Sequence, residues 1–145
     1  MSTEDEIVAV LDEVRLLAHR AVQVNERLHG TEPVTASGRA VLEQLHRSGP
    51  ASVSAIARQR GVTRQHIQTL VNTLLEHRLV TAGDNPAHRR SPLITITPAG
   101  TRLIRRITER ELRYLSRLRL RLADRDLART RRTLAALRDA IGTHQ

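Results

Sequence analysis

Apolar residues along the chain recur with two different periods, and the changes between them mark out the elements. Ile7, Val10, Leu11, Val14, Leu17, Ala18, Ala21, Val24 and Leu28 return every three or four positions, the spacing that lays one stripe down an α-helix. Thr3 and Glu6 stand at the interval of a capping box, in which two side chains satisfy free backbone N–H groups at the helix start, and Gly30 ends the run. A second helix is expected from the cap Thr35 through Val41, Leu42 and Leu45 to the break at Ser48-Gly49-Pro50. Between Leu79 and Thr97 the period shortens to two. Leu79-Val80-Thr81 and Leu93-Ile94-Thr95-Ile96-Thr97 are rich in β-branched residues, and Gly83-Asp84-Asn85-Pro86 between them is turn chemistry. This predicts a hairpin whose flexible loop tip carries Arg89 and Arg90. Thr97-Pro98 has the form of a cap followed by a first-position proline. The helix it opens puts Leu103, Ile104, Ile107, Tyr114, Leu115, Leu118 and Leu122 on one side, with Leu112 and Leu120 off it. A last helix is expected from about Asp124 to Ile141, closed by Gly142.

Composition narrows the classes. A chain of 145 residues with 39% apolar positions supports one ordinary domain. It has no cysteine, which excludes a disulfide scaffold, a thiolate zinc site and a cysteine nucleophile. Tyr114 is the one aromatic residue, so base stacking has no platform. No apolar run approaches the roughly 20 residues of a membrane span, and Glu4, Asp5 and Glu6 are unlike the basic start of a signal peptide. A soluble cytoplasmic protein without a membrane partner is expected.

The net charge is +9 and every one of the 24 basic residues is arginine. Residues 1–32 hold three arginines against seven acids, 33–97 eight against three, and 98–145 thirteen against five. This asymmetry suggests a polyanion partner, nucleic acid before an anionic membrane, and an acidic first segment lying against the basic last one. The first and last helices carry more apolar surface than so short a middle can cover. A symmetric dimer packed through them would bury it; an intrachain hairpin of the last two helices is the alternative.

The most specific stretch runs from Val53 to Asn72. Ala57 is small where two helices would cross, Gly61 four residues later supplies the positive φ of a tight turn, Val62 plugs that turn, and Thr63 caps the next helix. Ile67, Leu70, Val71 and Leu74 would seat this helix, leaving Arg64, Gln65, Gln68, Thr69 and Asn72 on its other face. These side chains suit DNA: arginine reads guanine, glutamine and asparagine read adenine, and threonine meets a thymine methyl. The pattern is that of a helix-turn-helix.

With the hairpin that follows, the chain resembles the MarR family of winged helix-turn-helix regulators. The resemblance is carried by Ser52-Val53-Ser54-Ala55-Ile56-Ala57, by Leu74-Leu75 through Leu79-Val80, and by Asn85-Pro86-Ala87-His88-Arg89-Arg90-Ser91 ending in Ile96-Thr97-Pro98-Ala99-Gly100. Where the family usually has an acid before the paired arginines and leucine before the threonine, this chain has His88 and Ile96. The expected fold is mainly α with a small β-hairpin wing, a winged helix-turn-helix flanked by dimerisation helices. Within one structural domain, residues 1–32 would form an N-terminal dimerisation helix, 33–97 the DNA-binding region and 98–145 the C-terminal dimerisation helices.

The resemblance implies a homodimer on a palindromic double-stranded operator, usually repressing and often released by a small aromatic or phenolic anion. Two recognition helices would enter successive major grooves about one turn, roughly 10 bp, apart. Ser52, Thr63, Arg64, Gln65, Gln68, Thr69, Asn72, Arg89 and Arg90 are the candidate DNA contacts. By the same resemblance an effector would lie between the first, second and fifth helices, with Arg15, His19, His46 and Arg106 as candidates for gripping it.

Other chemistry finds little support. The histidines (His19, His29, His46, His66, His77, His88 and His144) are scattered without metal-ligand spacing. No nucleophile triad, carboxylate pair or phosphate loop is present in the sequence, so neither a metal, a cofactor nor an enzyme activity is expected. Two alternatives stay open: a protein that coats DNA without sequence preference, and a helical adaptor whose arginine-rich last helices bind an acidic partner.

Overall fold

The computed structural model describes residues 1–142, so His144 and the end of the expected 98–145 segment lie outside the described residues. The elements run α1 (Thr3–His29), α2 (Ala36–Ser48), α3 (Val53–Arg60), α4 (Arg64–Glu76), β1 (Val80–Gly83), β2 (Leu93–Ile96), α5 (Pro98–Arg117) and α6 (Asp124–Ala140). The chain divides into two compact units, Met1–Glu111 and Leu112–Gln145. The expected mainly α winged helix-turn-helix is the observed fold.

Local chemistry explains most boundaries. Thr35 caps α2 by accepting from the Gly38 N–H at 3.2 Å, and Thr63 caps α4 by accepting from His66 N–H at 3.1 Å. Gly61 ends α3 at φ 65°, the left-handed conformation that costs an L side chain strain. The capping box of α1 starts one residue earlier than expected. Ser2 is the cap, its hydroxyl accepting from Asp5 N–H while the Asp5 carboxylate accepts from Ser2 N–H, each at 3.1 Å. Ser2/Asp5 and Thr3/Glu6 share the same interval, and the earlier pair gives the helix one more residue, with Thr3 inside it.

The core of the first unit is the meeting of α2, α3, α4, the hairpin and the first turns of α5. Leu42, Leu45, Ile56, Ile67, Leu74 and Ile107 are fully enclosed, each worth about 1.5–3 kcal/mol of apolar burial. Ala57 is buried at the α3–α4 crossing. Val62 is not the plug expected of it: it is 41% exposed, and the turn is closed instead by its backbone, Val62 N–H donating to Ala57 O at 3.1 Å.

The strands pair antiparallel with Val80 opposite Ile96 and Gly83 opposite Leu93. Gly83 therefore belongs to β1 rather than to the turn. Ala51, just ahead of α3, adds a bridge to Ile94 through two backbone bonds of 2.8 and 3.1 Å. Thr97 caps α5, accepting from Gly100 N–H at 3.1 Å while its hydroxyl donates to Arg78 O at 2.8 Å. That helix stops at Arg117, short of the expected Leu118 and Leu122. Arg119 takes a positive φ of 49° in the following link, which a continued helix does not allow.

Candidate nucleic-acid interface

The α4 helix is seated by Ile67, Val71 and Leu74, all buried, with Leu70 and Leu75 half-buried beside them. That seating fixes which side chains face outward. Gln65, Gln68, Thr69 and Asn72 are all exposed on the opposite face, as the 3.6-residue period requires. Gln68 donates its amide to Asn72 Oδ1 at 2.9 Å. The pair keeps an acceptor on Gln68 and a donor on Asn72, the two groups that an adenine edge in the major groove complements. The Thr69 hydroxyl donates back to Gln65 O at 3.0 Å. Ser52 and Thr63 use their hydroxyl oxygens as caps, Ser52 accepting from Ala55 N–H at 3.2 Å. Each O–H proton remains able to donate to a phosphate.

Arg64 sits at the edge of that face. It lines a cleft of about 120 Å³, open to solvent, between α4 and the hairpin, together with Gln68, Val53, Leu75, Pro92 and Arg90. The structure thus brings Arg64, Gln68 and Arg90 together, while Arg89 is exposed and does not line the cleft. The loop carrying both arginines is more closed than a free tip. Asn85 Nδ2 donates to Ser91 O at 2.8 Å, Asn85 Oδ1 accepts from Ala87 N–H at 3.1 Å, and two backbone turns follow at His88 and Ser91. With His88 preceding them, Arg89 and Arg90 have no ion-pair partner among the described residues.

A family model described as MarR family matches residues 34–91, from the start of α2 into the wing loop. An uncharacterized protein of Mycobacterium tuberculosis, Rv2011c, is 42% identical over 67 residues, covering 46% of this chain and 47% of that one. The match spans about half the length of these curated relatives. The transcriptional regulator BldR of Sulfolobus solfataricus has the same fold at a TM-score of 0.79 and 19% identity, over 94% of this chain and 99% of that one. BpsR of Bordetella bronchiseptica, whose DNA binding is regulated by 6-hydroxynicotinic acid, superposes at a TM-score of 0.76 and 21% identity, over 90% and 94%. Residues 34–91 are similar to the MarR family, and the chain has its winged helix-turn-helix fold. The MarR family match covers residues 34–91, and the fold likeness extends over nearly the whole chain.

The expected effector residues share no hydrogen bond or ion pair with one another among the described residues. Arg15, His19 and His46 are exposed, with His19 Nε2 lying 3.4 Å from Gln23 Nε2. Arg106 is engaged by Glu32 through two bonds of 2.8 and 3.3 Å. A crevice does lie between α1, α2 and α5, lined by Asn25, His29, Val34, Thr35, Ala36, Arg39 and Ile107, but the packing there leaves no room even for a water molecule. Sites for drug-sized ligands usually offer roughly 300–1,000 Å³.

Around that crevice stands a polar cluster that the sequence did not announce. His29, the last residue of α1, is 4% exposed, and neither ring nitrogen has a hydrogen-bond partner in the structure. Its Nε2 is 3.6 Å from Glu111 Oε1, and Glu111 is held by Arg39 at 2.9 Å. Arg39 also donates to Asn25 Oδ1 at 2.6 Å. Burial, helped by the positive field of Arg39 and outweighing the pull of Glu111, pushes the His29 imidazole below its ordinary value. Next to this cluster, hydrogen bonds from Arg106 and then Arg110 hold the Glu32 carboxyl below its own, against burial. Here the acidic first segment does meet the basic last one, at a single carboxylate. Among the described residues no three His, Asp or Glu side chains form a metal-sized group, and no helix is long and apolar enough to cross a membrane.

Proposed function

We propose that this protein is a sequence-specific DNA-binding transcriptional regulator that acts as a homodimer and represses from a palindromic operator. The observation that carries the reading is the outward face of α4. Gln65, Gln68, Thr69 and Asn72 are exposed together on a helix locked to the core, and a wing arginine borders the same cleft as Arg64. Base-edge readers on α4 would choose the sequence, and Ser52, Thr63, Arg64, Arg89 and Arg90 would hold the backbone or the flanking minor groove.

The dimer is supported by exposed apolar residues on the outer helices: Val8, Leu16, Leu17 and Val22 on α1, and Leu112, Leu115 and Leu127 in α5 and α6. On this reading residues 1–32 and 98–145 supply the dimer contacts and 33–97 the DNA contacts. Relief by a small aromatic anion is the second part of the proposal. It is supported by the regulation of the fold neighbour BpsR by 6-hydroxynicotinic acid, with Arg15, His19, His46 and Arg106 as candidate anion contacts.

Selection of bound sequences from a random duplex pool, with protein of known oligomeric state, tests the reading. The expected result is a palindromic motif with half-sites about 10 bp apart. Retention of DNA without any motif would replace it with the DNA-coating alternative.

A further inference from the structure

The second unit carries more positive charge than the proposed operator contacts use. Leu112–Gln145 holds nine arginines against three aspartates. Of these nine, among the described residues, only Arg138 is ion-paired, with Asp139 at 3.0 Å. Asp124 and Asp126 lie in the first turn of α6, where a helix N-terminus stabilises acids. On α6, Arg125, Arg129 and Arg132 follow one another at four and three positions, so they form a single exposed stripe. Leu127, Leu134 and Leu137 fall on the other side of the helix, Leu134 and Leu137 half-buried. A partner that covers the leucines leaves the arginines outward.

We propose that the stripe Arg125, Arg129 and Arg132 is a second, sequence-independent contact for a nucleic-acid backbone. The proposal rests on the DNA-binding reading only for the choice of partner. Seven residues of helix advance about 10 Å, the axial rise of about three base pairs at about 3.4 Å each. Guanidinium groups suit phosphate oxygens through paired N–H donors. A membrane surface fits less well, because Tyr114 is the one aromatic residue able to anchor at an interface. A second copy of the same stripe is also a poor fit, since like charges would face each other across a two-fold.

The test compares the full-length protein with R125Q/R129Q/R132Q and, separately, R64Q/R90Q. Each is measured by fluorescence anisotropy on a scrambled duplex and on the selected operator across a salt series, and by co-sedimentation with phosphatidylserine vesicles. Circular dichroism and size-exclusion chromatography confirm fold and oligomeric state. The triple variant is expected to select the same motif as the parent. On the scrambled duplex it should bind more weakly, with a log–log salt slope shallower by about 2.7 per engaged stripe, about 0.9 for each phosphate no longer neutralised. An unchanged slope and affinity overturns the proposal. So does a loss confined to phosphatidylserine vesicles, or a triple variant that loses only its oligomeric state. Absence of any motif with the parent protein sinks the operator reading instead, and a weakened triple variant on scrambled duplex still upholds the stripe.

Discussion

Gly100 lies in the first turn of α5, where alanine would ordinarily favour a helix by about 1 kcal/mol. Here alanine should destabilise. A Cβ built on Gly100 falls 2.3 Å from Leu79 O and 2.7 Å from Ile96 Cγ1. The first of these neighbours is backbone, so no rotamer change relieves it. The start of α5 must lift by on the order of 1 Å to restore an ordinary contact, which costs about 1–3 kcal/mol as overpacking. The lift pulls on the bond from Thr97 N–H to Leu79 O, now 3.0 Å, worth about 1 kcal/mol. Set against the helix gain, Gly100→Ala should lose about 2 kcal/mol net, about 5 °C in Tm for a chain of this size. Gly61→Ala is the control: nothing lies within 4 Å of its Cβ, and φ is 65°, so only left-handed strain of about 1–2 kcal/mol applies. Urea unfolding of both variants measures the effect. If Gly100→Ala matched or exceeded the parent in stability, the close approach of α5 to the hairpin would be wrong.

Acid should weaken the fold in two separate windows. The His29 imidazole is held below its ordinary 6.5, so the unfolded chain takes up that proton first and stability falls as pH drops below about 6.5; His29→Leu should flatten this part of a urea-midpoint titration. Glu32 is held below its ordinary 4.5, so its contribution is complete above that value and is lost as pH falls through its lowered one. Glu32→Gln should cost about 1–2 kcal/mol at neutral pH, discounted because the Arg106 side chain is 50% exposed and can rehydrate; an unchanged urea midpoint would show the ion pairs to be idle. On the proposed function, Arg90→Ala should weaken operator and scrambled duplex alike by anisotropy. Gln68→Ala should change base preference at one position per half-site in a repeat selection.

What was legible in the sequence was what neighbouring residues decide among themselves. The caps Thr35, Thr63 and Thr97, the left-handed Gly61 and the hairpin pattern of residues 93–97 each depend on a few adjacent side chains, and each stands as expected. The α1 cap slipped by one residue because Ser2/Asp5 and Thr3/Glu6 offer the same chemistry at the same spacing. Val62 looked like a plug because it is apolar beside a turn, yet a backbone bond closes that turn and leaves the side chain outside. The cluster of His29, Arg39 and Glu111 joins α1 and α2 to α5, far down the chain, and no local pattern marks it. The contacts proposed for DNA were legible as a helix face. That Arg90 would share a cleft with Arg64 depends on how the hairpin packs beside α4.

The two-bond bridge between Ala51 and Ile94 ties the chain entering α3 to the inner strand of the hairpin. With α4 packed on α3 and on β1, the bridge resists separate movement of helix and wing, so that the two would behave as the jaws of a caliper. On the proposed function, such a caliper would measure the distance from groove floor to flanking backbone as well as the bases. Two operators with identical base contacts but different stiffness or groove width would then be bound unequally, the stiffer one having to bend to the protein.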